Sequence, residues 1–242
     1  LLSLPSWSET LTMDDLVQRD GIFYKKFTIV PFTGEVFGME SGKFNKGKPD
    51  GQWVYYYSSG HPKEIVNFKK GTMEGLVEEY YESGRLKSKG NFKDGKEVGL
   101  WEKYYKNGQL KRKANIKEGQ EEGLVEEYWE NGQLKIKANV EDDVINLEEY
   151  SLKGQLNRKG NYKGSKKEGL WEIYYLDNGQ LMEKVNYKNG KQNGLWESYH
   201  KNGQLKSKGK FKDDVMDGIW EFYKKDGSFF LTETWKNGVK QE

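Results

Sequence analysis

The sequence predicts an all-β protein, an elongated and twisted single-layer antiparallel meander of tandem hairpin repeats. Three observations predict it. First, a short motif recurs at a fixed interval. Gly75-Leu76-Val77-Glu78, Gly99-Leu100-Trp101-Glu102 and Gly123-Leu124-Val125-Glu126 stand twenty-four residues apart, and the series continues at Gly169, Gly194 and Gly218. Second, each recurrence is followed by strand-forming residues and a turn dipeptide, as in Asn107-Gly108. Third, the composition is polar yet aromatic. Charged residues are 32% and hydrophobic residues 34%, with 8 Trp, 16 Tyr and 11 Phe in 242 residues. So many rings argue against disorder, and so few aliphatics argue against a thick core.

The elements follow in chain order. Leu1-Leu2-Ser3-Leu4-Pro5-Ser6-Trp7-Ser8 reads as the remnant of a secretory signal peptide ending before Glu9, which implies a periplasmic or secreted protein. As an ordinary apolar segment it would leave a cytoplasmic location open. Residues 9–50 read as an N-terminal cap with an irregular first repeat, including strands around Ile22-Phe23-Tyr24 and Gly34-Glu35-Val36. Residues 51–242 hold eight hairpin repeats. They open at Gly51-Gln52-Trp53, include a degenerate unit around Leu147-Glu148-Glu149-Tyr150, and end in a C-terminal cap.

Within the unit at Gly99, a two-residue type I′ turn at Asn107-Gly108 would set Tyr105 opposite Leu110, Glu102 opposite Lys113 and Trp101 opposite Ala114. Alternation then gives one face Trp101, Tyr105, Leu110, Ala114 and Ile116. The other face takes Leu100, Glu102, Tyr104, Lys111, Lys113 and Asn115. The small residue expected beneath each large one recurs as Gly90, Ala138, Gly160 and Gly209, and Gly90 is assigned to Val77. The glutamate, usually opposite a lysine, predicts a ladder of ion pairs that fixes register. At the C-terminus Glu233 stands where a small residue belongs, which guards the last strand against further pairing.

Composition also excludes chemistry. There is no cysteine, so no disulfide, thiolate metal site or thiol nucleophile exists. His61 and His200, the two histidines, stand in no ligand or triad spacing. A carboxylate repeated in nearly every unit is structural rather than catalytic. Neither an enzyme nor a cofactor is expected. A net charge of +2 argues against a nucleic-acid partner and disfavours anionic lipid. The partner expected is a protein, held by a non-catalytic scaffold of open oligomeric state. The candidate contacts are Trp101, Tyr105, Trp129, Trp171, Tyr175 and Trp196. The alternative is a cell-envelope glycan- or lipid-binding module using the same aromatic face.

The repeat carries a resemblance. Gly90-Asn91-Phe92-Lys93-Asp94-Gly95-Lys96-Glu97-Val98-Gly99 resembles the MORN repeat. The segment from Leu100 to Leu110 is similar to the bacterial variant found in YwqK-type antitoxin proteins. The resemblance implies an elongated sheet without enzymatic activity, used in protein association and sometimes lipid association, here with an antitoxin- or immunity-like role. Ser88, Arg112 or Ile136 stands where eukaryotic MORN repeats carry an aromatic, which weakens any inheritance of lipid binding.

Overall fold

The computed structural model describes residues 10–242, so the segment read as a signal remnant lies outside the described residues. The chain divides into two compact units, Leu1–Gln120 and Glu121–Glu242. In the first, a 3₁₀ turn (Met13–Asp15) precedes a separate hairpin of β1 (Leu16–Arg19) and β2 (Ile22–Lys25). The main sheet runs through β3 (Gly34–Val36), β4 (Glu40–Asn45), β5 (Lys48–Pro49), β6 (Gly51–Tyr56), β7 (Pro62–Lys69), β8 (Thr72–Tyr80), β9 (Leu86–Lys93), β10 (Lys96–Tyr104) and β11 (Leu110–Lys117). From β6 onward each strand pairs antiparallel with the next.

The second unit repeats the plan. Its strands are β12 (Gln120–Tyr128), β13 (Leu134–Glu141), β14 (Val144–Tyr150), β15 (Leu156–Lys163), β16 (Lys166–Tyr174), β17 (Leu181–Lys188), β18 (Lys191–Tyr199), β19 (Leu205–Lys212), β20 (Val215–Tyr223), β21 (Phe229–Lys236) and β22 (Val239–Lys240). Each again pairs with its sequence neighbour. The all-β meander of hairpins is thus the fold of both units.

Two kinds of turn alternate, and their assignment corrects the expected one. The turn after β10 is a three-residue loop, Lys106-Asn107-Gly108, in which Gly108 N–H donates to Tyr105 O (2.9 Å) and Tyr105 N–H to Gln109 O (2.8 Å). Only Gly108 has positive φ there, at 90°. This is a type I turn closed by a left-handed glycine, not a type I′ turn. The asparagine serves instead as an acceptor, its Oδ1 taking the N–H of Gln109 at 2.9 Å. Tyr104 therefore lies opposite Leu110, while Glu102 opposite Lys113 and Trp101 opposite Ala114 stand as expected. The type I′ geometry sits between units, where Asp94 and Gly95 both have positive φ (51° and 76°).

Regular junctions between repeats inside each compact unit also carry a bulge. Val98 pairs with Asn91 and Glu102 with Lys89, so three residues of β10 span one residue of β9. Gly99, at φ 69°, supplies the left-handed conformation this needs. The bulge carries Trp101 back over β9. A Cβ on Gly90 would stand 2.2 Å from the indole, so Gly90 lies beneath Trp101 as well as opposite Val77. The expected pairing of Gly90 with Val77 alone is corrected accordingly. Gly42 under Trp53, Gly160 under Trp171 and Gly209 under Trp220 repeat the contact at 2.2–2.3 Å. In each case the glycine precedes its tryptophan by eleven residues.

A single sheet layer buries an indole by borrowing side chains from neighbouring strands. Trp171 is fully buried. Gly160 lies beneath it, Tyr162 and Tyr187 meet it edge-on at 5.1 and 6.3 Å, and the Lys167 ammonium sits 4.4 Å from the ring centre. In the first unit the cap forms the densest cluster, with Leu16, Val36, Phe44 and Trp53 at its centre. Trp196 shows the rule by exception. Val185 takes the place of the glycine on its preceding strand, and the half-buried indole tilts onto Trp220 at 5.1 Å. At the last full strand Glu233 faces Trp220, and its carboxylate is held by Lys240 (2.7 Å) and the Trp235 indole N–H (3.3 Å).

Candidate functional site

The two faces of the sheet differ in what they offer a partner. The tryptophan face is largely closed: Trp53, Trp171 and Trp220 are buried, and Trp101 and Trp196 are half-buried. The other expected contacts lie at the hairpin tips, where they hold one repeat to the next. Tyr175 donates its hydroxyl to Tyr199 O (2.9 Å) and Trp129 its indole N–H to Tyr150 O (3.2 Å). Tyr57 and Tyr81 do the same to Tyr80 O and Tyr104 O, and His200 takes the place of the tyrosine with Nε2 3.3 Å from Tyr223 O. Tyr105, at the same position of its own unit, is half-buried. Of the six expected contacts, Trp171 thus presents no surface and the other five are partly covered.

The opposite face is open. Leu76, Leu100, Leu124, Leu170, Leu195 and Ile219 each follow the repeat glycine and are 43–64% exposed. Members of adjacent regular repeats, such as Leu76 and Leu100 or Leu170 and Leu195, lie two strands apart, ~10 Å along the sheet. This aliphatic row was missed by the sequence reading, which assigned binding to aromatics. The signal was present in the aliphatic residue that follows the repeat glycine, leucine in five repeats and Ile219 in a sixth.

Beside the leucines runs the ion-pair ladder, with a correction to its partners. Lys89 stands between Glu78 and Glu102 in register, and its close contact is with Glu102 of the following repeat (2.7 Å). Lys159 with Glu172 (2.8 Å) and Lys208 with Glu221 (2.9 Å) repeat this. The lysine beside Glu102 holds its carboxyl below the usual range, and the Tyr104 hydroxyl adds to the effect. Each glutamate also accepts from the tyrosine two residues on. Tyr80 to Glu78, Tyr104 to Glu102, Tyr128 to Glu126 and Tyr174 to Glu172 are all 3.0 Å. Partial burial, then the bond to Glu148, pushes the Tyr150 phenol up to about 12.

One place breaks the pattern. β13 and β14 pair without a bulge from Ile136–Glu149 to Glu141–Val144. Asn146 lies opposite Asn139 on one side, as Val98 lies opposite Asn91, and opposite Asn161 on the other, as Leu100 lies opposite Asn115. One asparagine therefore does the work of two side chains. A groove of about 420 Å³ opens there on the leucine face, between Leu124 and Leu170, over Asn139, Asn146 and Asn161. Lys137, Glu148, Lys159 and Glu172 line one side of it.

Among the described residues, no three His, Asp or Glu side chains converge as metal ligands, and no helix is long and apolar enough to cross a membrane. No curated protein matches the chain. Six segments, residues 49–70, 73–94, 97–118, 121–142, 167–189 and 192–213, match the MORN repeat variant, and together they cover more than half the chain. The gap between the fourth and fifth matches contains the bulge-less unit. Such repeats are generally non-catalytic modules of protein or membrane interaction. The chain belongs to the MORN repeat variant family.

Proposed function

We propose that this protein is a non-catalytic protein-binding scaffold whose working surface is the leucine face. One observation carries the reading: a row of aliphatic side chains, repeated once per regular unit, is left open beside a ladder whose charges are already paired. Recurrent exposed apolar surface rimmed by polar residues marks an interaction site. Lysines with glutamate partners have little positive field left for phosphates. The tryptophan face supports the glycan or lipid alternative less well, because three of its rings have no open surface for stacking.

An antitoxin- or immunity-like role, exercised after export, is the finer form of this proposal. It rests on the resemblance of the Leu100–Leu110 segment to YwqK-type repeats and on the apolar sequence of residues 1–8. Affinity capture with the full chain and with a Leu76→Ser, Leu100→Ser, Leu195→Ser variant of unchanged melting transition tests the scaffold. The expected result is one stoichiometric protein retained at both low and high salt by the parent and lost by the variant. Strong, salt-sensitive binding to anionic liposomes that survives the three changes would overturn it in favour of a membrane-surface module.

A further inference from the structure

We infer that the groove over Asn146 is a specificity pocket for an uncharged, extended polypeptide segment, which places one leucine-sized side chain between Leu124 and Leu170. The inference rests on the scaffold reading and names the position at which that scaffold selects its partner. Three features of the groove carry it.

The first is what is missing. In regular units the bulge puts a leucine at this register position, as Leu100 and Leu195 show. Here two residues of the bulge are gone and Asn146 stands alone, so the aliphatic row is interrupted for four strand steps, ~19 Å, between Leu124 and Leu170. Both flanking leucines are almost half exposed, and both line the groove. A partner's aliphatic side chain would complete a row that the chain itself completes elsewhere.

The second is the floor. In regular junctions the asparagine of the preceding strand donates to the carbonyl of the bulged leucine, as Asn67 does to Leu76 O (2.7 Å) and Asn186 to Leu195 O (2.8 Å). Without the bulge Asn139 turns to Glu141 instead (2.7 Å). The carboxamides of Asn139, Asn146 and Asn161 then stand on three adjacent strands along the groove. Side-chain amides offer both donor and acceptor, the complement of a peptide main chain.

The third is charge. Lys137 and Lys159 are matched by Glu148 and Glu172, which alternate with them in register, and Lys159 contacts Glu172 at 2.8 Å. A charged ligand would have to break this pairing, whereas a neutral one leaves it in place. No aromatic ring lines the groove, so the stacking platform that a sugar would use is absent from its lining.

The test uses the full chain with isotopically labelled leucine methyl groups. The probes are the blocked peptides acetyl-Ser-Asn-Leu-Asn-Ser-amide, its central-Ser and central-Asp counterparts, and cellotetraose. The expected result is saturable shifts at Leu124 and Leu170 with the leucine peptide only, unchanged by salt. Asn146→Leu, which rebuilds the row, should weaken binding about tenfold or more. Lys103→Ser, outside both the groove and the leucine face and checked like Asn146→Leu for an unchanged melting transition, should leave it unaltered. Equal shifts at Leu76, Leu100 and Leu195 that ignore Asn146→Leu would overturn the pocket while leaving the scaffold standing. Shifts with cellotetraose or the Asp peptide instead would overturn the assigned ligand class. Silence from every probe would overturn the pocket, and the capture experiment above would then judge the scaffold separately.

Discussion

The junction between β9 and β10 and the junction between β13 and β14 solve the same problem differently. Both turn the chain back on itself with the glutamate on the lysine face. The first inserts a bulge around Gly99, which carries a bulky ring over a glycine and pushes a leucine into solvent. The second pairs straight through, with Leu147 opposite Ala138 and Asn146 where the bulge would be. Because the loss is of two residues, alternation survives and no side chain changes face. A repeat can therefore be shortened by an even number without losing its core, and what changes is the surface. The degenerate unit is intact as architecture and altered in the surface it presents.

The sharpest way to break this comparison is to overfill its two small residues. Gly90→Val drives a side chain into the Trp101 ring, which already stands 2.2 Å from a Cβ at that position. A loss of about 3 kcal/mol is expected in urea denaturation, at the upper end of overpacked sites. Ala138→Val, opposite the more pliable Leu147, should cost about 1 kcal/mol. Equal losses would mean that the bulge does not set how closely the ring approaches.

Restoring the bulge is the converse experiment. Inserting Gly-Leu after Asn146 should leave the circular dichroism unchanged and shift stability within about 1 kcal/mol. It should also abolish any shifts of the Leu124 and Leu170 methyl signals by the leucine peptide. Loss of the folded spectrum would show that the straight junction is required, not merely tolerated.

A smaller effect is expected from alkaline pH. The folded Tyr150 phenol lies at about 12 against an ordinary value of 10.0. A raised pKa favours the neutral form, so its contribution is complete below pH 10 and is lost as pH rises toward 12. Tyr174 and Tyr104 are raised for the same cause, burial followed by the adjacent glutamate. Melting temperature should fall over that window, and Tyr150→Phe should flatten part of the fall. An unchanged slope in that variant would remove Tyr150 from the account.

The smallest changes belong to the exposed charges. Glu102→Gln should lose within ~1 kcal/mol at neutral pH, because Lys89 is well exposed and salt screens the pair. Since the Glu102 carboxyl titrates below its ordinary 4.5, the parent's advantage holds above that value and fades as pH falls through the folded one. Lys103→Ser, at an exposed position that varies among repeats, should stay within about 0.5 kcal/mol. A larger loss there would place Lys103 in a contact the register does not give it.

Much of the fold was legible because repetition exposes what each position must do. Gly99, Asn107-Gly108 and the Glu–Lys alternation gave the hairpins and the core of their register without any structure. The turn types were not legible, since Asn-Gly closes both a two-residue and a three-residue loop, and only the hydrogen bonds of Tyr105 distinguish them. The burial of the conspicuous rings was not legible for a related reason. Trp171 is the most conspicuous kind of residue in the chain, and burial makes it a core residue. Leu170, its plainer neighbour, is the one left in solvent.

Sequence by itself determined the period, the alternation of faces and the places where glycine had to stand, because these follow from local steric and pairing rules. The eleven-residue spacing of Gly90 and Trp101 was also written there, though its meaning was not. Tertiary structure decided which glutamate each lysine meets, which rings are covered, and that the loss of two residues opens a groove. Those outcomes depend on how one strand bends over the next, and a bulge changes that bend while leaving the pattern of residue types almost untouched.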